Sequence, residues 1–200
     1  MRSTVLVLGY SQFDGYLYNT CVEVLNALRR DLGTECFCLE IPVSLRYVRE
    51  EVPRVIERLR PRLVVGLGMA PSAKRVLVEA AALNSLTFEI PDVDGYRADH
   101  EPVNGEGPLV IEAPAPLRRV VDECVKRRGL PMKLSMSVGT YLCNALAYTI
   151  YSAGHRAGFR AVFLHVPPHT DYAMRMRLAN YMPLQTIVEC VECVIDVCSR

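Results

Sequence analysis

Short, continuous apolar runs alternate along this chain with stretches whose apolar residues return every three or four positions. Thr4–Gly9 is the first such run; it is β-branched and closed by glycine, the form expected of a strand buried on both faces. Residues 20–32 follow with Val22, Val24, Leu25 and Leu28 at helical spacing, and Gly33 supplies the stop. Residues 35–41 read as a second strand, and 44–59 as a helix with Ser44 as N-cap. Pro53 inside that helix predicts a kink or a break. Residues 62–66 read as a third strand, 75–82 and 85–90 as shorter extended pieces, and 117–128 as a helix stopped by Gly129. Residues 133–137, 142–157, 161–166 and 183–199 continue as strand, helix, strand and a final helix with proline in its first turn.

Strands joined by helical crossovers imply an α/β fold, a mostly parallel twisted sheet with helices on both faces. Residues 91–116, rich in Gly, Pro, Asp and Glu, break the rhythm and predict a long excursion with room for a hairpin. No repeat or linker divides the chain, so residues 1–200 are expected to form a single domain. In such folds the active crevice lies beyond the carboxyl ends of the strands.

Composition narrows the class. Half of the residues are hydrophobic and the net charge is +1, with both signs interspersed. No basic stripe invites nucleic acid. The longest apolar runs, such as 4–9 and 63–70, are strand-sized and too short to span a bilayer. Arg2 and Ser3 lead straight into the first strand without the regions of a signal peptide, and the expectation is a cytoplasmic enzyme that makes no use of a membrane. Eight cysteines are many: 21, 36, 38, 124, 143, 190, 193 and 198. Cys190-x-x-Cys193 matches half of a zinc or redox motif, but it lies in a helical stretch with no second pair, so no metal is expected. Most of these thiols read as small buried hydrophobes, with a structural disulfide as the alternative.

Cys143 stands apart from the others. A strand ends near Ser137, Gly139 allows a tight turn, and Cys143 falls in the first turn of the next helix. A helix N-terminus aimed at the sulfur favours thiolate, and its unpaired N–H groups could receive an oxyanion. His165 interrupts an apolar strand at its carboxyl end, where a neighbouring strand would bring it to Cys143. A buried imidazole needs a partner, and a thiol beside an imidazole suits acyl transfer. His169 is the rival base. Glu79, within Val76–Ala82, reads either as the carboxylate that orients His165 or as a solvated residue of an edge strand.

Together these residues make the chain resemble pyroglutamyl peptidase I over nearly its whole length. Ser137, Gly139, Tyr141, Cys143 and Asn144 reproduce the family's cysteine box. His165-Val166-Pro167 matches its histidine step, and Glu79 precedes Ala82-Leu83-Asn84 as the family glutamate precedes Ala-x-Asn. The resemblance implies a cofactor-free cysteine peptidase that removes N-terminal pyroglutamate from peptides, working as a cytoplasmic homotetramer. It implies Cys143 as nucleophile, His165 as base and Glu79 as third partner. It also implies that Tyr10 and Phe13 contact the lactam ring, with Asn19, Met69 and Ile90 completing the substrate pocket.

The chain departs from the family at the rim of that pocket. Glu89 replaces an arginine, Ser72-Ala73 replaces Gly-Arg, Asp14-Gly15 replaces a double glycine, and Thr20 replaces a proline. An acid in place of an arginine reverses sign as well as shape. Two further readings therefore accompany the first: a cysteine hydrolase for a different N-terminal acyl group, and a non-catalytic binding protein on the same fold.

Overall fold

Every residue of β1 (Val5–Tyr10) is buried in a computed structural model that describes residues 4–11 and 19–200. Because side chains alternate along a strand, β1 feeds two cores. Val5 and Val7 pack with α1 (Thr20–Leu32) and α6 (Leu184–Ser199), whereas Leu6 and Leu8 pack with α2 (Leu45–Leu59) and α4 (Leu142–Ala157). The same division runs through β3 (Leu63–Met69) and β10 (Arg160–Val166): Val65, Val162 and Leu164 face one core, and Val64, Ala161 and Phe163 the other. This is why the apolar runs are unbroken: both faces of the sheet are covered.

With β2 (Cys36–Ile41), β4 (Val76–Glu79) and β9 (Met132–Ser135), these strands form a six-stranded sheet in the order β2-β1-β3-β10-β4-β9. β2, β1, β3 and β10 are parallel, while β4 runs antiparallel to β10 and β9 runs parallel to β4. The sheet is therefore mixed and mostly parallel in a single α/β domain. The extended stretch expected over 75–82 is two strands: β4 joins the main sheet, and β5 (Ala81–Leu83) pairs antiparallel with β8 (Val110–Glu112). The excursion does contain the hairpin partner of β6 (Leu86–Phe88), namely β7 (Ala98–Glu101).

Three local expectations are corrected. α2 is not broken at Pro53, and Ser44 Oγ caps it by accepting from Tyr47 N–H. The helix expected over 117–128 is α-helical only in α3 (Leu117–Val120) and continues as a π-helix over Val121–Arg127; the segment carries Cys124 inward to a disulfide with Cys193 of α6. That bond also disposes of the metal reading of Cys190-x-x-Cys193. α5 (Thr170–Met176) was given no element in the sequence pattern, because seven residues are too few to set a clear period.

Candidate active site

Cys143 is the second residue of α4, whose N-terminus points at the carboxyl ends of β3 and β10. Two tethers hold this helix start. Tyr10, the last residue of β1, donates its hydroxyl to the Leu142 carbonyl at 2.6 Å. The fully buried Asn144 accepts from Leu83 N–H at 2.8 Å and donates to the carbonyls of Leu83 and Ser85. An amide with its donors and acceptor satisfied in this way explains an asparagine in a buried helical turn.

Gly68 of β3 lies beneath the sulfur. A Cβ there would sit 2.6 Å from Cys143 Sγ, 2.9 Å from Phe163 Cζ and 3.3 Å from His165 Cδ2. Only hydrogen in place of a side chain lets the helix bring the thiol down onto the strand. The third strand, expected over 62–66, runs on through Gly68 to Met69.

His165 lies opposite Gly68 in the β10–β3 register and is 9 % exposed. Its Nδ1 donates to Glu79 Oε1 at 2.8 Å. Glu79 is wholly buried on β4 between β10 and β9, which rules out the solvated edge-strand reading. Residues facing each other across an antiparallel pair share a face, so Glu79, opposite Phe163, is the diagonal neighbour of His165, two residues further on. Glu79 Oε2 has no hydrogen-bond partner among the described residues. Phe163 meets the His165 ring edge to face at 5.2 Å, which fixes the imidazole plane. Burial by itself would lower the His165 pKa, but the charge of Cys143 and hydrogen bonds to Cys143 and Glu79 outweigh it and raise the pKa to about 10. Negative charge and hydrogen-bond acceptors beside the ring thus favour its protonated form.

The structure thus brings Cys143, His165 and Glu79 together, although not by the expected route. β9, the strand before Cys143, is not a neighbour of β10 and runs the other way; residues 136–141 bring the chain back to the site. His169, the rival base, belongs elsewhere. Its backbone N–H donates to Thr20 Oγ1 at 2.9 Å and its Nδ1 lies 3.1 Å from the same hydroxyl, while burial lowers its pKa.

The remaining positions differ in kind. Tyr10 is buried beside Cys143; burial first and the Cys143 charge second push its phenol well up. Asn19 caps α1, accepting from Cys21 N–H and donating to the Ser11 carbonyl, and so ties the residue after β1 to the start of α1. Met69 is half-buried next to Gly68, and Ile90 is 58 % exposed after β6. Phe13 lies outside the described residues. Glu89 is exposed, and Ser72 and Ala73 sit in the turn after β3, with Ser72 exposed and Ala73 buried. No cluster of three or more metal-ligating side chains occurs among the described residues, and no described helix is long and apolar enough to cross a membrane.

A family model described as pyroglutamyl peptidase matches residues 3–200. The pyrrolidone-carboxylate peptidase of Thermococcus onnurineus is 31 % identical over 194 residues, covering 96 % of each chain. One from Caldanaerobacter subterraneus is 31 % identical over 196 residues, again covering 96 % of each. Among solved structures, the pyrrolidone carboxyl peptidase of Thermococcus litoralis superposes with a TM-score of 0.88 at 27 % identity, covering 98 % of this chain and 93 % of the other. That of Thermus thermophilus gives 0.87 at 27 % identity, covering 97 % and 100 %.

Proposed function

The chain belongs to the pyroglutamyl peptidase family, and on that premise we propose that it removes N-terminal pyroglutamate from peptides by thiol acyl transfer at Cys143. The observation that carries the proposal is the relay from Glu79 through His165 to Cys143, with the imidazole bonded at 2.8 Å to a carboxylate that has no exposure. His165 holds the proton released by the Cys143 thiol, and the sulfur attacks the carbonyl that links pyroglutamate to the next residue. The tetrahedral oxyanion forms at the N-terminus of α4, near the N–H groups of Leu142 and Cys143, the two residues that open the helix ahead of the Asn144 N–H bonded to the Tyr141 carbonyl. His165 then gives its proton to the departing amine as the C–N bond breaks, leaving a thioester on Cys143. Water, activated by His165, hydrolyses the thioester and restores the thiol. Glu79 holds one imidazole tautomer and stabilises the imidazolium at each stage.

Tyr10, Met69 and Ile90, with Phe13 and Asn19, form the lactam pocket in this reading. The enzyme acts without cofactor, as a cytoplasmic homotetramer. Three large apolar side chains among the described residues, Leu109, Met136 and Met174, are more than two-thirds exposed on the chain alone, and assembly would cover some of them.

The test is release of a chromogenic amine from its pyroglutamyl amide by the purified protein. Cys143→Ala is expected to abolish release, and turnover by that variant at the wild-type rate would sink the mechanism. Exposed Glu89 supports the second reading, an acyl group other than pyroglutamyl. A protein that ignores pyroglutamyl amides while Cys143 reacts readily with iodoacetamide would favour it.

A further inference from the structure

At the Glu79–Phe163 end of the β4–β10 ladder, a side chain takes the place of one backbone bond. In an antiparallel pair, directly opposed residues that form a hydrogen-bonded couple exchange their N–H and carbonyl groups. Glu79 and Phe163 are opposed, yet Phe163 N–H donates to Tyr151 Oη at 3.0 Å, and Tyr151 in turn donates to the Glu79 carbonyl at 2.7 Å. The hydroxyl is interposed between the two strands. Tyr151 comes from α4, eight residues or just over two turns after Cys143, and has no solvent exposure. One side chain therefore ties together the helix that bears the thiol, the strand that bears the carboxylate and the strand that bears the imidazole. On the Phe163 side the connection continues, since that ring packs edge to face on His165 at 5.2 Å.

We infer that Tyr151 is a positioning residue for the catalytic relay: its hydroxyl sets the spacing of β4 and β10, and with it the reach of Glu79 to His165. It touches neither substrate nor sulfur and acts through its neighbours. The alternative is that a buried tyrosine simply satisfies two backbone groups. The two differ in what its loss does to His165. Without the hydroxyl, Phe163 N–H and the Glu79 carbonyl must pair directly or stay unpaired, and either outcome shifts the Glu79 carboxylate relative to the imidazole. The inference rests on the proposed roles of Cys143, His165 and Glu79.

The experiment compares Tyr151→Phe with Tyr148→Phe. Tyr148 lies on the same helix, has 1 % exposure, and donates its hydroxyl to the Pro108 carbonyl in a part-buried setting away from the relay. Tyr151→Phe is expected to lower kcat by about tenfold to a hundredfold with little change in KM, as small misplacements of reacting groups do. The alkaline limb of its pH profile should also fall by about one unit, because His165 loses part of the carboxylate contact. Tyr148→Phe should leave both unchanged. The same titration is read without substrate as the alkaline inflection in the pH dependence of Cys143 alkylation by iodoacetamide, followed by peptide mass spectrometry, so a wrong substrate assignment leaves this test intact. An unmoved limb in Tyr151→Phe, or an equal loss of kcat in both variants, overturns the inference. If Tyr151→Phe does not fold, 3,5-difluorotyrosine at position 151 keeps the ring and alters the donor and acceptor strength of the hydroxyl. The limb should then still move, and a wild-type profile overturns the inference.

Discussion

The two ends of the strands β3 and β10 are built from opposite ends of helices. At their carboxyl ends α4 begins, its first turn brings Cys143 over Gly68, and Glu79 pairs with His165. At their amino ends the helices finish. Arg60 caps α2, Gly158 caps α4, and α6 ends at Ser199, all around a cavity of about 800 Å³. Arg60, Arg62, Arg156, Arg160 and Arg200 line it. Such a cavity, roomy, partly apolar and ringed by guanidinium groups, invites a ligand-site reading. Helix polarity gives a simpler account. Converging C-termini present orphan carbonyls and partial negative charge, and the arginines answer both: Arg62 donates to the Ser199 carbonyl at 3.3 Å and Arg160 to the Cys198 carbonyl at 2.9 Å. Volume and charge mark one end, whereas a perturbed imidazole and a glycine with no room for a Cβ mark the other. The second pair of signals is the better guide to chemistry here.

Substitutions should separate the two ends. The largest effect is expected from Glu79→Gln, which keeps the shape but withdraws the charge from His165; kcat should fall by about a thousandfold or more. The same variant has a signature in stability. The His165 pKa is raised from 6.5 to about 10, so its contribution is fully present below 6.5 and is lost as pH rises through about 10. Wild-type melting temperature should decline across that window, and the decline should flatten in Glu79→Gln. An unchanged slope would show that Glu79 does not hold the imidazolium.

Next in size is the disulfide on the far face of the sheet. Cys124 and Cys193 are separated by 69 residues, and replacing both by alanine should cost about 4 kcal/mol in chemical denaturation while kcat is kept. Gly68→Ala should act in the opposite sense: folding is retained, but kcat drops about a hundredfold because the thiol is pushed off the strand. Full activity in Gly68→Ala would mean that α4 can shift without penalty. The smallest effect belongs to the arginine end. Arg62→Ala and Arg160→Ala should each cost about 1 kcal/mol of stability by denaturant titration, with kcat and its pH profile untouched. A change in turnover there would reopen the cavity as a functional site.

Much of this was legible in the chain itself. Alternation of apolar runs with helical spacing marks the helices at 20–32 and 142–157 to the residue, because strong period and clear stops coincide there. Cys143 is conspicuous for the same local reason, a strand, a turn with Gly139 and a helix start within a few residues. His165 is visible as a polar residue where an apolar strand ends. Glu79 is different. Its neighbours suit an edge strand equally well, and only the placement of β4 between β10 and β9, with β4 reversed, buries it against the imidazole. Tyr151 and Gly68 carry no signal at all in one dimension: a tyrosine in an apolar helix and a glycine in a strand look like packing. Local spacing and burial preference belong to neighbours in sequence, and they set the elements and the place of Cys143 at a helix start. Strand order, strand direction and the approach of α4 to β3 arise from contacts between residues far apart in the chain, and these alone decided which acid, which glycine and which hydroxyl surround the thiol.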